Sequence, residues 1–392
     1  MIRSGKKTRR ELTMIPPTFI SSCAHIVDPR IERCKKYDLL DILFLTLSAV
    51  ISGAEGWEDI EIFGKHKLDW LRKFRPFTSG IPRHDTIARV LCRLKPEEVE
   101  QAFQKWINGL IDVTNCEVIA IDGKTARRTF DTRHRRNPLH SVSAWCCAHQ
   151  LVLGQKATSE KSNEITAIPE LLSLLDIESC IITLDAMGCQ QAIAQQIIQA
   201  KADYVLALKG NHSGMQAELE AWWHKCIREG LTDESFQRYE QVDSGHGRIE
   251  TRCCEQLVID TKWIDKAYRW KGLNTVIKIS SEIEEKQTGK VTQETRYYIS
   301  SLPLNASQAL LAVRSHWQVE SMHWTLDMTF REDESRIRTG TGPMLFNVLR
   351  KIAMNLYRQD KTEKASLKQK RKMAAFDDKY RETLLGSIIK MR

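Results

Sequence analysis

The sequence has no apolar run long enough to span a membrane: its longest, Leu39 to Ile51, is short and carries Asp41. Its basic opening, MIRSGKKTRRELTMIPP, is not followed by the hydrophobic stretch of a signal peptide, so a cytoplasmic, nucleoid-associated protein with no membrane partner is expected. None of the 11 cysteines falls in a Cys-x-x-Cys spacing, which excludes the common zinc and dithiol redox motifs. They stand singly or as the adjacent pairs Cys146-Cys147 and Cys253-Cys254, so free thiols packed as small hydrophobes are expected. Internal repeats and low-complexity tracts are also missing, which excludes solenoids and arrays.

What is present describes a globular chain of 392 residues, 42% hydrophobic and long enough for two or three domains. Lys and Arg number 59 against 50 Asp and Glu, a formal charge of +9 that favours polyanions such as nucleic acid without demanding them.

From Tyr37 to about Asp112 the apolar residues recur at helical spacing, as in LLDILFLTLSAVI and EEVEQAFQKWINGLI. Pro82 breaks this region and Asp85 is placed to cap the helix TIARVLCRL. Two helices around a turn, the second bearing Arg89 and Arg93, fit a helix-turn-helix reading the major groove. They fit a packing helix with a solvated basic face equally well.

At residue 117 the texture changes. EVIAIDGK, HSVSAWCCA and QLVLGQKAT read as consecutive antiparallel strands, followed by the series helix ITAIPELLSLL, strand CIITLDA, helix CQQAIAQQIIQAKA and strand DYVLALK. This element order predicts an α/β fold with an RNase H-like catalytic core. β-branched and aromatic residues return between Phe236 and Ser301 as a β-strand-rich insertion, after which HWQVESMHWTLDMTF and FNVLRKIAMNLYRQD are helical. The expected organisation is a basic arm at 1–36, a small helical domain with DNA-binding capacity at 37–115, the first part of the core at 116–235, the insertion at 236–302, the last core helices at 303–360, and a frayed basic tail at 361–392.

Asp122 follows VIAI and Asp185 follows CIITL, placing each carboxylate at the end of a strand expected in the sheet centre, where an acid needs a partner. Either alone serves as a turn or cap residue. Together with an acid on a late helix, they form a set that could hold two Mg2+ ions astride one phosphate. On HWQVESMHWTLDMTF, His316, Glu320, His323 and Asp327 share one helical stripe, flanked by Trp317, Trp324 and Met328 on one side and Val319, Leu326 and Phe330 on the other. The stripe fits a partly enclosed site, with the tryptophans in the core. It also fits a buried hydrogen-bond network, or half of a di-iron bundle whose second Glu-x-x-His helix is missing here.

These residues resemble a known family, the H-repeat-associated insertion-sequence transposases, a branch of the bacterial DDE transposases. The resemblance runs from about residue 27 to residue 360. It is carried by DPRIERCKKYDLLDILFLTLSAVISGAEGW, AIDGKTARR, TLDAMGCQ, DYVLALKGNH, SGHGRIETR and R-x-H-W-x-V-E-x-x-H-W-x-L-D-x-x-F-x-E-D. It implies that Asp122, Asp185 and Glu320 are a catalytic, metal-binding triad using Mg2+, with Mn2+ able to substitute. Related transposases carry Y-x2-R-x3-E-x6-K around the final Glu, where this chain has Val313, His316 and Asp327. His316, His323 and Asp327 are therefore supporting candidates.

The function implied is hydrolysis at transposon ends followed by transfer of the 3′-hydroxyl to target DNA, with a homodimer holding paired ends. Lys124, Arg127 and Arg128, with Lys209, Asn211 and His212, are candidate phosphate contacts. A metal-dependent nuclease that does not join, and an inactive DNA-binding relict, are the alternatives.

Overall fold

In the computed structural model, residues 19–109, 117–131, 135–158, 164–260, 265 and 268–386 are described, the side chain of Asn211 excepted. Most of the expected basic arm, residues 1–18, and the Asn211 contact lie outside them.

The chain opens with helices: α1 (Phe19–Ser22), α2 (Leu39–Ile51), α3 (Trp57–His66), α4 (Leu68–Leu71), α5 (His84–Leu91) and α6 (Pro96–Asn108). Asp38 caps α2 by accepting from Asp41 N, and Pro96 begins α6, where a missing N–H costs nothing. Asp85 is not the cap of α5. Arg83 occupies that position without a side-chain bond, while His84 anchors the helix start through Glu61 at 2.7 Å. The expected helix-turn-helix has no tight turn either, because residues 72–83 separate α4 from α5, with Phe77 and Gly80 at positive φ and Pro82 blocking helix.

Next come β1 (Val118–Thr125), β2 (His140–Cys146), β3 (Leu151–Thr158), α7 (Glu164–Leu172), β4 (Ile181–Leu184), α8 (Gln191–Gln199), β5 (Asp203–Leu208) and α9 (Ser213–Glu229). Strands β1 to β3 form an antiparallel meander, and β4 and β5 run parallel to β1. This is the RNase H-like order read from the sequence. Four antiparallel strands follow: β6 (Phe236–Gly245), β7 (Arg248–Val258), β8 (Thr275–Glu285) and β9 (Val291–Ser300). His246 and Gly247, both at positive φ, close the β6–β7 hairpin. Because β9 pairs with β5, the insertion extends the same sheet, whose order is β3-β2-β1-β4-β5-β9-β8-β7-β6.

The chain ends in α10 (Ala306–His316), α11 (Gln318–Met328), α12 (Gly342–Gln359), α13 (Leu367–Phe376) and α14 (Asp378–Gly386). Two apolar clusters cover the two faces of the sheet. Ile119, Ile121, Ile182 and Leu184 pack under α7, α8 and α9, whereas Val118, Ala120, Trp145 and Ile181 join the helices α2, α6, α10 and α12. Helix α12 is buried nearly all round, as an inner helix must be.

The frayed tail expected after residue 360 is instead two docked helices. Ser366 and Gln369 form a capping box at α13, Lys67 and Lys73 pair with Asp378 and Glu382 at 2.8 and 2.9 Å, and Arg381 is buried against Ser52 and Ala374. Nine cysteines are free thiols, most of them buried. Cys146 departs from the expectation, being disulfide-bonded.

Candidate functional site

Strand parity decides which side of the sheet each acid faces. Successive side chains alternate, so Asp122 shares a face with Val118 and Ala120, and Asp185 with Ile181 and Thr183. That is the face covered by α10 and α11. Asp122, expected at a strand end, lies within β1, which runs on to Thr125, whereas Asp185 directly follows β4; Ile121 stands opposite Leu184, so both acids come just past the last paired residues of the two parallel strands. They are thus side by side at the carboxyl edge, where open α/β sheets place their ligands.

Glu320 comes from α11, which packs on β1. Asp122, Asp185 and Glu320 line one cavity of about 400 Å3 with Lys209, His316 and Trp317. Glu320 itself is exposed, and Asp185 uses Oδ1 to accept from the backbone N–H groups of Met187 and Gly188 at 3.0 and 3.1 Å, a turn that fixes the carboxylate.

The electrostatics of this cleft are those of crowded carboxylates. Burial above all, with Asp185, Glu164 and Glu320 adding their negative charges against the pull of the Gly123 N–H, pushes the Asp122 carboxyl up to about 7. Among the described residues no three His, Cys, Asp or Glu are gathered closely enough to hold a metal ion as they stand.

The two histidines are held neutral beside the acids. His316 Nδ1 lies 3.0 Å from Thr183 Oγ1, and burial brings its pKa down to about 4. His323 Nδ1 is 3.6 Å from Asp122 Oδ2, and burial, together with the charges of Lys124 and Lys351, brings it down to about 3. Asp327 does not reach the acid cluster; it pairs with Lys124 at 2.8 Å. The stripe expected on one helix is interrupted, since α10 ends at His316 and α11 begins at Gln318, with Trp317 between them. Trp317, Trp324 and Met328 are exposed rather than core, and Trp317 carries the Arg296 guanidinium 4.5 Å above its ring.

The cationic candidates divide. Lys124 is tied into ion pairs with Asp327 and, at 3.5 Å, Asp333. Arg127 also pairs with Asp333, at 3.3 Å, but stays exposed. His212 is fixed by Cys189 O at 2.6 Å. Lys209 lines the acid cleft, and Arg89, Arg93 and Arg128 are exposed.

Sequence reasoning passed over Glu164 and His140, a buried pair 2.6 Å apart beneath β1. Gly123 was the available signal: any Cβ there would overlap the Glu164 carboxylate, so the glycine after Asp122 permits this close approach. It also passed over Lys351, buried on α12 and donating to Ser143, Gln155 and Asn347 at 2.7–2.9 Å.

Comparison with known proteins accords with this geometry. Residues 115–356 match the family model described as Transposase DDE domain, and residues 20–107 match the one described as DDE_Tnp_1-associated. The chain is 43% identical over 356 residues to YhhI of Escherichia coli (strain K12), by name an H repeat-associated transposase candidate, covering 90% of this chain and 93% of that one. It is 42% identical over 365 residues to YncI of Escherichia coli O157:H7, a transposase candidate by name, covering 92% and 93%. Among solved structures, a piggyBac transposase synaptic complex with hairpin DNA aligns at a TM-score of 0.42 and 10% identity, over 91% of this chain and 75% of that one, an overlap too loose to argue from.

Proposed function

The chain belongs to the DDE transposase family, and from that premise we propose that it is the transposase of a bacterial insertion sequence, hydrolysing phosphodiester bonds at the element's ends and then joining the freed 3′-hydroxyl to target DNA. The observation that carries the proposal is the convergence of Asp122, Asp185 and Glu320 on one cleft at the carboxyl edge of the sheet.

The donor chemistry fits a hard divalent cation, Mg2+ or Mn2+. Carboxylate oxygens are its preferred ligands, and the neighbouring negative charges that add to the effect of burial on Asp122 are the kind a dication offsets. Asp122, Asp185 and Glu320 would hold it, and once bound it would supply Lewis-acid polarisation of the phosphate and a more acidic water.

The surrounding side chains set the conditions for that chemistry. The turn at Met187 and Gly188 fixes the Asp185 carboxylate. His323 stands 3.6 Å from Asp122 without adding charge, and neutral His316, bound to Thr183, presents a hydrogen-bonding ring to the cleft. Lys209 supplies a cation for a phosphate. Two copies on paired ends would keep both ends of the element together.

The test is cleavage and joining of labelled DNA bearing the element's terminal repeats, with Mg2+ or Mn2+, comparing wild type with Asp122→Ala and Glu320→Ala. Joined products lost in both variants support the proposal. Cleavage without joining makes the protein a nuclease, and equal activity in all three removes the triad.

A further inference from the structure

A second cavity, of about 780 Å3, is walled by the start of α3, the residues following β1, and the loop 331–339 that leaves α11. Arg128, Arg336, Arg338 and Arg350 line it. Arg350, on α12, is only 4% exposed. Its guanidinium packs over the Phe346 ring at 5.4 Å and has no hydrogen bond or ion pair among the described residues.

The acids whose charges reach it, Glu332 and Glu55, bond to other groups. Buried Glu332 accepts from Asn347 Nδ2 at 2.8 Å, and Glu55 pairs with Arg331 and Arg371 at 3.2 and 3.5 Å. Glu334 is taken by Arg331. Glu58 and Asp131 also line the cavity, so that with Arg331 its wall holds five guanidiniums against four carboxylates. Ser335, in the same wall, buries a hydroxyl with no partner. Arg338 is held in place by donating to Arg128 O at 3.1 Å and stacking on Phe130.

An unpaired guanidinium is costly to bury and remains charged, so its site favours an anion. The planar fork of Arg matches phosphate oxygens in pairs. We propose that this groove binds the phosphodiester backbone of DNA and carries the duplex alongside the catalytic cleft; the idea rests on the transposase reading. The backbone fits better than a free phosphate because the groove continues the elements that carry the acids. Arg128 follows β1, which holds Asp122, and residues 331–339 follow α11, which holds Glu320.

The experiment titrates a labelled duplex against wild type, Arg350→Met, Arg336→Glu and, as a charge-matched control, Lys201→Glu, at several salt concentrations, with folding checked by circular dichroism. Methionine keeps the packing volume of Arg350, and Arg336 is exposed, so both variants should fold. The expected result is a roughly tenfold weaker Kd for each, a salt slope reduced by about 1, and no change for Lys201→Glu. Cleavage is measured in parallel at saturating protein. Wild-type Kd and salt slope in folded Arg350→Met and Arg336→Glu would overturn the groove while leaving a cleaving wild type intact as a transposase. The reverse result, arginine-dependent binding with no cleavage by wild type, would keep the groove and remove the catalytic reading. A second arm adds inorganic phosphate: thermal stabilisation that Arg350→Met abolishes, with duplex binding unchanged, would assign the site to free phosphate and overturn the DNA proposal.

Discussion

The glycine after Asp122 tests how the first acid is held. A Cβ at Gly123 would lie 2.6 Å from Glu164 Cδ and 2.7 Å from His140 Nε2, closer than nonbonded heavy atoms approach. Their side chains are 5% and 2% exposed, so neither can swing into solvent. Gly123→Ala must therefore displace the end of β1 or separate the buried pair. Overpacking costs ~1–3 kcal/mol, and leaving a buried polar group without its partner costs ~1–3 kcal/mol, so the two together give a loss of about 2–4 kcal/mol. Guanidinium unfolding of wild type, Gly123→Ala, Glu164→Ala and the double variant measures it. With Glu164 truncated, adding the methyl should cost less than about 1 kcal/mol, an interaction energy of about 2 kcal/mol. An equal cost in both backgrounds would refute the argument that Glu164 imposes the glycine. Gly123→Ala should also slow DNA cleavage, because Asp122 moves with its strand.

Three further outcomes are expected. Asp185→Asn keeps an Oδ1 acceptor for the Met187 and Gly188 N–H groups and should change stability by less than about 0.5 kcal/mol, whereas Asp185→Ala should cost about 1–2 kcal/mol, with cleavage lost in both; a stable, fully active Asp185→Asn would remove Asp185 from the triad. Burial brings Lys351 down to about 8, so the folded state releases this proton while the unfolded chain still holds it. The stability of wild type relative to Lys351→Met should therefore rise by about 3 kcal/mol between about pH 8 and 10.5, and a flat difference across that window would contradict a buried ammonium. Exposed Cys34 should be alkylated rapidly in the native protein, while Cys147, Cys189 and Cys254, buried and pushed up to about 12, should react only on unfolding, as peptide mass spectrometry would show.

Much of the architecture is legible in the chain because strand and helix periodicities are local. The meander, the β4 and β5 runs and the β-rich insertion follow from alternation and β-branched content. Which face Asp122 and Asp185 share depends on the register that sets Ile121 opposite Leu184, which only the structure supplies. Errors arose where local pattern was overridden. The stripe from His316 to Asp327 has helical spacing, yet Trp317 interrupts it. Residues after 360 are lysine-rich and polar, yet ion pairs to Lys67 and Lys73 and the burial of Arg381 dock them as helices.

The sequence by itself determined the order of strands and helices, the position of two carboxylates just after apolar strand runs and the presence of a third on a late helix, since each depends on residues within a turn or two of chain. Only the tertiary structure decided what those groups meet. Burial raises Asp122, with Glu164 adding its charge from another element, Lys124 is tied to Asp327, and Arg350 is buried with no hydrogen bond or ion pair among the described residues. Charge and burial act through space, over contacts between residues as far as 329 positions apart, which no local reading of spacing contains.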